Sequence, residues 1–222
     1  MTNSHQTKEL IPPAIQSFFN KTGPWFYSFF FQLAGYRSSL KYFVRRHQHR
    51  LALVKGMRIL DAGIGTGFLT INLLTEAPVS LTVTGLDFSD GMVSALRNRL
   101  RRLGLEDKVT LQMGDMRGMP FSDGEFDLVM TSAAIEYLPR VEDGFKEFSR
   151  VLRPGGKLLA ITTRDSLMGR FIGATWQNTV YQPEYIKACM ADVGIHNIQR
   201  LYFPWWFAHV NWWGVAFLGE KQ

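Results

Sequence analysis

Short apolar runs alternate along the chain with segments whose apolar residues recur at helical spacing. The runs of strand length lie at 58–61, 81–86, 109–113 and 125–132, and a fifth ends at Ile161. Strands separated by helices are typical of an open, mostly parallel sheet. The pattern therefore predicts an α/β fold from residue 58 onwards.

The region before the first strand has a different pattern. From Phe26 onwards, apolar side chains recur at helical spacing, while Arg37, Lys41 and Arg45 fall toward another face. The apolar positions are Phe29, Phe30, Leu33, Leu40, Phe43 and Val44. We therefore expect residues 1–55 to form an amphipathic helical extension and residues 56–222 to form the α/β domain.

The first strand ends in an acid and opens into three glycines at alternate positions. Gly63, Gly65 and Gly67 follow Asp61, and a residue without a Cβ permits a tight turn and a close approach of ligand to backbone. A dinucleotide fingerprint would have its third glycine at the position of Phe68. Because Asp61 would also repel a pyrophosphate, the loop predicts a nucleotide-like ligand that carries positive charge.

Three consecutive strands are followed by carboxylates. Asp61, Asp87 and Asp115 close the first, second and third strands, and ligands of open α/β sheets bind outside these carboxyl ends. A site ringed by carboxylates favours a cationic, hydroxyl-rich ligand. The alternative is that each acid caps the next helix or turn, but capping does not explain the glycines.

These motifs, in this order, resemble those of the class I S-adenosylmethionine-dependent methyltransferases. The Asp61 acid and the glycines match the family's first motif, Asp87 matches its ribose-binding acid, and residues 114–116 resemble its adenine-contacting loop. Residues 125–132 are similar to the fourth strand, and residues 150–161 to the following helix, turn and fifth strand. The resemblance covers residues 58–162.

The resemblance implies a Rossmann-like, seven-stranded, mostly parallel sheet with helices on both faces and an antiparallel final strand. It also implies S-adenosylmethionine as cofactor, S-adenosylhomocysteine as product, and no metal ion. The cofactor-binding residues that it implies are Asp61, Gly63, Gly65, Gly67, Asp87, Phe88, Asp115, Met116 and Ser132.

Aromatic side chains outside the cofactor-binding strands are candidates for contact with the acceptor. After a predicted helix at 183–193, the family order calls for final strands at 197–203 and 211–218, and their connection would lie on the ligand side of the sheet. Family members often cover the acceptor with an N-terminal extension and with the loop after the fifth strand, here 164–182. The expected acceptor-contacting residues are Tyr27, Tyr36, Trp176, Tyr181, Trp205 and Trp206.

Methyl transfer from a sulfonium is an in-line displacement, so the protein mainly aligns the acceptor and excludes water. A general base is needed only where the acceptor has a proton to lose. The candidates are His209, in the connection between the final strands, and Glu136, just after the fourth strand. The alternatives are a structural histidine and a glutamate on a helix surface.

The absence of certain motifs reduces the number of acceptor classes that the sequence allows. Residues 131–139 lack the Asn/Asp-Pro-Pro-aromatic motif of amino-adenine and glutamine methyltransferases, and Cys189 is the one cysteine. The chain instead looks like the group that contains quinone-biosynthesis, sterol and phospholipid methyltransferases. We expect a small, largely apolar or lipid-like acceptor. An RNA or protein methyltransferase and a non-catalytic cofactor-binding interaction protein are the alternatives, and the oligomeric state stays open.

Positive charge is concentrated in the extension. The whole chain has a net charge of +6, and residues 1–57 hold eight basic residues against one acid. The extension either packs on the sheet or rests on an anionic membrane surface by its basic and aromatic side chains. Nucleic acid is not expected as a partner, because no recognition motif accompanies the basic residues.

Compartment signals are few. Residues 1–9 lack a secretory pattern, and a single cysteine suits a reducing compartment. The uncharged stretches 22–36 and 201–219 lack the length or the continuity of a membrane span. We therefore expect a cytoplasmic protein that is either soluble or peripheral at a membrane.

Overall fold

The computed structural model describes Ser17, Asn20, Lys21 and residues 35–222. Its centre is a seven-stranded sheet. The strands are β1 (Arg58–Ala62), β2 (Thr82–Asp87), β3 (Val109–Met113), β4 (Phe126–Ser132), β5 (Leu152–Thr163), β6 (Ile195–Leu201) and β7 (Gly214–Lys221).

The strand order is β3-β2-β1-β4-β5-β7-β6. Strands β1 to β5 pair in parallel, and β7 runs antiparallel to both β5 and β6. The predicted Rossmann-like, mostly parallel sheet with an antiparallel final strand is confirmed. The order reverses between β1 and β4, and ligands of open α/β sheets bind at such a switch point.

Seven α-helices surround the sheet in the described part of the chain. They are α1 (Tyr36–Leu51), α2 (Phe68–Glu76), α3 (Asp90–Leu103), α4 (Val141–Val151), α5 (Leu167–Trp176), α6 (Pro183–Asp192) and the short α7 (Val210–Trp213). Within these residues, no helix has both the length and the apolar character that crossing a membrane requires.

The side chains of β1 point alternately to the two faces of the sheet and are buried in two different layers of the core. Ile59 faces the layer that contains α1 and α2, whereas Leu60 and Ala62 face the layer that contains α4 and α6. Successive side chains of a strand point to opposite faces, so β1 is buried on both sides. This burial fixes the position of the loop that follows β1.

Helix α1 belongs to the same core as the sheet. Its Leu40, Phe43 and Val44 are fully buried, as their helical spacing predicts, and each contributes about 1.5–3 kcal/mol through burial of apolar area. The helix packs on α2 and anchors Tyr36 at its first turn. The predicted apolar positions from Phe26 to Leu33 lie outside the described residues.

Two predictions about the C-terminal third are corrected. Residues 164–182 are not a loop throughout, because Ser166 caps α5 by accepting a hydrogen bond from the Gly169 N–H at 3.0 Å. The strands predicted at 197–203 and 211–218 are shifted to β6 and β7. Between them Asn211 bonds both the N–H and the carbonyl of Phe203, at 3.0 and 3.1 Å, and closes the connection into a compact turn.

Candidate active site

A cavity opens at the carboxyl ends of β1, β2 and β4, with about 640 Å³ of empty space that includes its open mouth. Its lining combines two carboxylates, the glycine loop and a group of apolar and aromatic side chains. The lining residues are Tyr36, Asp61, Gly63, Ile64, Gly65, Thr66, Phe68, Leu69, Asp87, Phe88, Met92, Met116, Ser132, Ala133, Ala134 and Tyr137. We call this cavity the cleft.

The glycine loop forms one wall of the cleft. Gly63 has φ +75°, and a Cβ there would lie 2.3 Å from the Ala134 Cβ. Gly65 has φ +54°, but a Cβ there would meet nothing closer than 4.0 Å. The missing Cβ of Gly63 therefore lets the glycine loop pack closely against Ala134, whereas Gly65 leaves its backbone accessible to a ligand.

Gly67 has a structural role. A Cβ at Gly67 would lie 2.5 Å from the Leu96 Cδ1, so the glycine lets α2 pack against α3. Gly67 does not line the cleft. Its assignment as a cofactor-binding residue stays a prediction, and its φ of +75° serves the start of α2.

Asp61 and Asp87 place two carboxylates in nearly dry surroundings. Asp61 is 2% exposed and accepts a hydrogen bond from the Thr70 hydroxyl at 2.6 Å. Asp87 is 6% exposed and accepts from the N–H groups of Gly65 and Ser89 at 2.8 and 2.9 Å. The hydrogen bond from the Gly65 N–H holds the glycine loop against the end of β2.

Burial acts on both acids in the same direction. Burial, together with a smaller effect of the nearby Asp87 charge, raises the pKa of Asp61 to about 7. Burial also raises the pKa of Asp87 to about 6. Because desolvation penalises the charged form, a bound cation would favour ionisation of both acids.

A smaller cavity of about 300 Å³ adjoins the cleft at the end of β3. Phe88 and Met116 line both cavities, and Gly114, Asp115 and Leu138 line the smaller one. The Asp115 carboxylate forms an ion pair with Arg117 at 2.6 Å. Apolar side chains at such a site suit a flat ring system, as the resemblance implies for this loop.

Tyr36 closes the cleft from the side of α1. Its hydroxyl lies 2.8 Å from the Ser132 hydroxyl at the end of β4. The ring packs 5.3 Å from Trp213 and 6.4 Å from Phe203. Burial raises the pKa of Tyr36 well above its usual value, so the phenol stays protonated at neutral pH.

The structure brings most of the predicted cofactor residues together, but not the predicted bases. Glu136 is 1% exposed, and its Oε1 accepts from the Thr163 N–H and hydroxyl at 2.8 and 3.0 Å. It does not line the cleft, and neither does the exposed His209. The assignment of either residue as a general base stays a prediction.

The predicted acceptor residues are scattered. Tyr36 lines the cleft, whereas Trp176 is buried at the end of α5. Tyr181 stacks on Tyr185 with ring centroids 5.8 Å apart. Outside the cleft lie Trp205 and Trp206, which are exposed, and Tyr27 lies outside the described residues.

Sequence reasoning missed much of the apolar wall. Phe68, Leu69, Met92 and Tyr137 line the cleft but were not among its predicted residues. The first three lie in the first turns of α2 and α3, which begin beside the carboxyl ends of β1 and β2. An apolar residue at the start of a helix after such a strand is the signal that would have found them.

The described residues contain no group of three or more His, Cys, Asp and Glu side chains that is placed to hold a metal ion. The absence of a metal from the reaction stays a prediction.

Residues 59–156 match a family model described as a methyltransferase domain. The chain is 31% identical over 119 residues to a ubiquinone/menaquinone biosynthesis C-methyltransferase of Geobacter sulfurreducens, a match that covers 52% of this chain and 46% of the relative. It is 34% identical over 136 residues to a sterol 24-C-methyltransferase of Gibberella zeae, covering 60% and 35%. The chain thus spans about half or less of these relatives.

A solved geranyl diphosphate methyltransferase, in complex with GPP and sinefungin, has a similar fold. The TM-score is 0.68 with 21% sequence identity, and the match covers 83% of this chain and 78% of that chain. The sheet order, the glycine loop and the matched domain agree. In residues 59–156 and in its fold, the chain is therefore similar to the class I S-adenosylmethionine-dependent methyltransferases.

Proposed function

We propose that this protein transfers a methyl group from S-adenosylmethionine to a small, largely apolar or lipid-like acceptor. The observation that carries the proposal is the mixed lining of the cleft. Asp61 and Asp87 lie at the strand ends, and apolar and aromatic side chains such as Phe68, Met92 and Tyr137 line the same cavity. A cationic donor and an apolar acceptor each find a matching surface.

The residues of the cleft fit the cofactor. Two nearly dry carboxylates with raised pKa values suit a ligand with a sulfonium and an ammonium group. A carboxylate offers about four lone-pair sites, so Asp87 can accept hydrogen bonds from ribose hydroxyls besides those from Gly65 and Ser89. When bound, the cofactor supplies an activated methyl group.

The protein's contribution is alignment and exclusion of water. Tyr36 is held by Ser132, Trp213 and Phe203, so the wall on that side is fixed before an acceptor arrives. Alignment of two reactants in a dry site supplies roughly 7–11 kcal/mol. An apolar wall places an apolar acceptor there at little desolvation cost.

Four titratable groups line the described cleft: Tyr36, Asp61, Asp87 and Tyr137. Burial raises the pKa of both tyrosines, so at neutral pH they remain protonated. Protonated phenols donate hydrogen bonds and are poor bases. We therefore assign Tyr36 and Tyr137 to orienting a polar atom of the acceptor.

The names of the relatives support a lipid-like acceptor. One acts in ubiquinone/menaquinone biosynthesis, and the other is named for a sterol. Both are C-methyltransferases, so a carbon acceptor atom is the first to test.

The test is transfer of radiolabelled methyl from S-adenosylmethionine into a cell extract, followed by separation into organic, aqueous small-molecule and macromolecular fractions. We expect label in the organic fraction. Asp87→Asn should remove the label, whereas Asp107→Asn, at an exposed acid before β3, should keep it. Label in the macromolecular fraction would instead indicate an RNA or protein acceptor. Cofactor binding without transfer into any fraction would indicate a non-catalytic binding protein.

A further inference from the structure

Two neighbouring segments expose large apolar side chains to solvent. They are α5 and the connection 202–213, which are joined by hydrogen bonds from the Ser166 hydroxyl to the Trp212 carbonyl at 2.6 Å and from the Arg164 N–H to the Trp213 carbonyl at 2.8 Å. The exposed fractions are Leu167 91%, Met168 45%, Phe171 68%, Trp205 80%, Trp206 49% and Trp212 64%. We call these six residues the aromatic patch.

So many exposed apolar side chains on adjoining segments are unusual. Single exposed apolar residues are ordinary in soluble proteins, but contiguous large patches mark sites of interaction with proteins or membranes. Three of the six residues are tryptophans, which favour the interface between water and hydrocarbon because the ring is apolar and the N–H is polar.

The patch adjoins the cleft. Trp213 follows Trp212 in α7, is 8% exposed, and packs against Tyr36 of the cleft wall at 5.3 Å. Helix α5 begins just after the carboxyl end of β5, on the edge of the sheet where the cleft opens. A surface bound at the patch would therefore lie beside the acceptor wall.

Positive charge borders the patch. Tyr42 of α1 lies 5.7 Å from Trp206, ring to ring, and joins the patch to a helix with five basic residues and no acid. Arg45 and Lys41 pair with Glu76. Arg46 is exposed and forms no ion pair with any described residue. The connection 202–213 holds no Asp, Glu, Lys or Arg.

We propose that the aromatic patch docks the protein on an anionic lipid bilayer, with the cationic face of α1 against the headgroups. The role of the bilayer as the source of acceptor rests on the proposed function, but the docking itself does not. Apolar side chains with flanking cations are the combination that binds an anionic interface. A second copy of the chain is a poorer occupant, because pairing would bring two cationic α1 helices together.

The test is binding of the full chain to vesicles of phosphatidylcholine and phosphatidylglycerol in equal parts, measured by co-sedimentation and by the blue shift of tryptophan fluorescence. We expect binding that weakens with salt and is much weaker on pure phosphatidylcholine. The double variant Trp205→Ser/Trp212→Ser should bind at least about tenfold more weakly, because two exposed indoles no longer leave water. Arg46→Gln should weaken binding to the anionic vesicles alone.

The matched control is Val54→Ser. Val54 is 58% exposed but precedes the amino end of β1, on the opposite edge of the sheet, so its loss should leave vesicle binding unchanged. Affinity for S-adenosylmethionine should be the same in all variants, which shows that they fold. Unchanged binding by the double variant, or no binding by the wild type, overturns the proposal. So does a lipid-free dimer in sedimentation velocity that the double variant abolishes.

Measurements of methylation rate test the docking proposal and the proposed function separately. With an acceptor dispersed in water, the double variant should methylate at the wild-type rate, and with the same acceptor in vesicles it should be slower. Vesicle binding without any methyl transfer would leave the docking surface intact and refute the proposed function. Methyl transfer without vesicle binding would do the reverse.

Discussion

Acidification should weaken the binding of S-adenosylmethionine more steeply than solvent-exposed carboxylates would allow. Asp61 and Asp87 line the cleft almost without water contact, and their pKa values are raised to about 7 and about 6. Only the ionised forms attract a cation. The perturbation is a change of pH from 7.0 to 5.5, where ordinary aspartates stay charged.

The magnitude follows from the two pKa values. With a pKa of about 7, Asp61 is about half ionised at pH 7.0 and about 3% ionised at pH 5.5, so affinity that requires its charge falls about 16-fold. Asp87, with a pKa of about 6, adds a factor of about four. Binding therefore releases protons, and affinity rises with pH through this range.

The free energy of unfolding depends on pH in the opposite direction from cofactor affinity. The native apoprotein binds more protons than the unfolded chain, because both folded-state pKa values lie above 3.8, the ordinary pKa of an aspartate. The contribution of these acids to the free energy of unfolding therefore falls as pH rises from about 4 to about 7. Saturating cofactor should offset that fall, which thermal unfolding with and without ligand would show.

Isothermal titration calorimetry is the assay. The dissociation constant is measured at both pH values, and proton release is measured from two buffers of different ionisation enthalpy. Asp61→Asn should bind more weakly at pH 7.0 and keep only the fourfold pH dependence of Asp87. His209→Gln is the control, because His209 lies outside the cleft lining. Equal affinity of the wild type at both pH values, or an unchanged slope in Asp61→Asn, would refute the reasoning.

Two further predictions concern stability and the predicted base. Gly63→Ala and Gly104→Ala both place a side chain at positive φ, but only the first meets a neighbour, at 2.3 Å. Urea unfolding should therefore show a loss of about 1 kcal/mol at Gly104 and a clearly larger loss at Gly63, and equal losses would contradict the packing argument. If Glu136 holds Thr163 in place, Glu136→Gln should keep most of kcat while Glu136→Ala loses about 1–3 kcal/mol of stability. A stable Glu136→Gln that has lost its activity would restore the general-base assignment.

The sequence predicted the cofactor side of the cleft because that side depends on local rules. A strand end followed by an acid and glycines fixes where Asp61, Gly63 and Asp87 lie once the sheet is parallel, and the structure places all three in the cleft. Gly67 shows what these local rules cannot distinguish. A glycine that faces a ligand and a glycine that faces a packed side chain such as Leu96 give the same sequence signal.

The acceptor side is harder to predict because it depends on the direction of side chains in irregular segments. The expected contact of Trp205 and Trp206 with the acceptor stays a prediction, and the structure places both side chains in solvent outside the cleft lining. Two hydrogen bonds between Asn211 and Phe203 set the path of their connection, and no periodicity encodes such a closure. Phe68 entered the sequence argument only as a departure from a fingerprint, whereas the structure makes it a wall of the cleft.

The short helix α7 links the two surfaces that the proposals use. Its consecutive residues Trp212 and Trp213 are 64% and 8% exposed, so one ring faces solvent while the other packs on Tyr36. Tyr36 in turn is bonded to Ser132 at the end of β4. A bilayer at the aromatic patch is therefore separated from the cleft wall by a single packed layer. If both proposals hold, a lipid-like acceptor has only that layer to pass between the bilayer and the cleft.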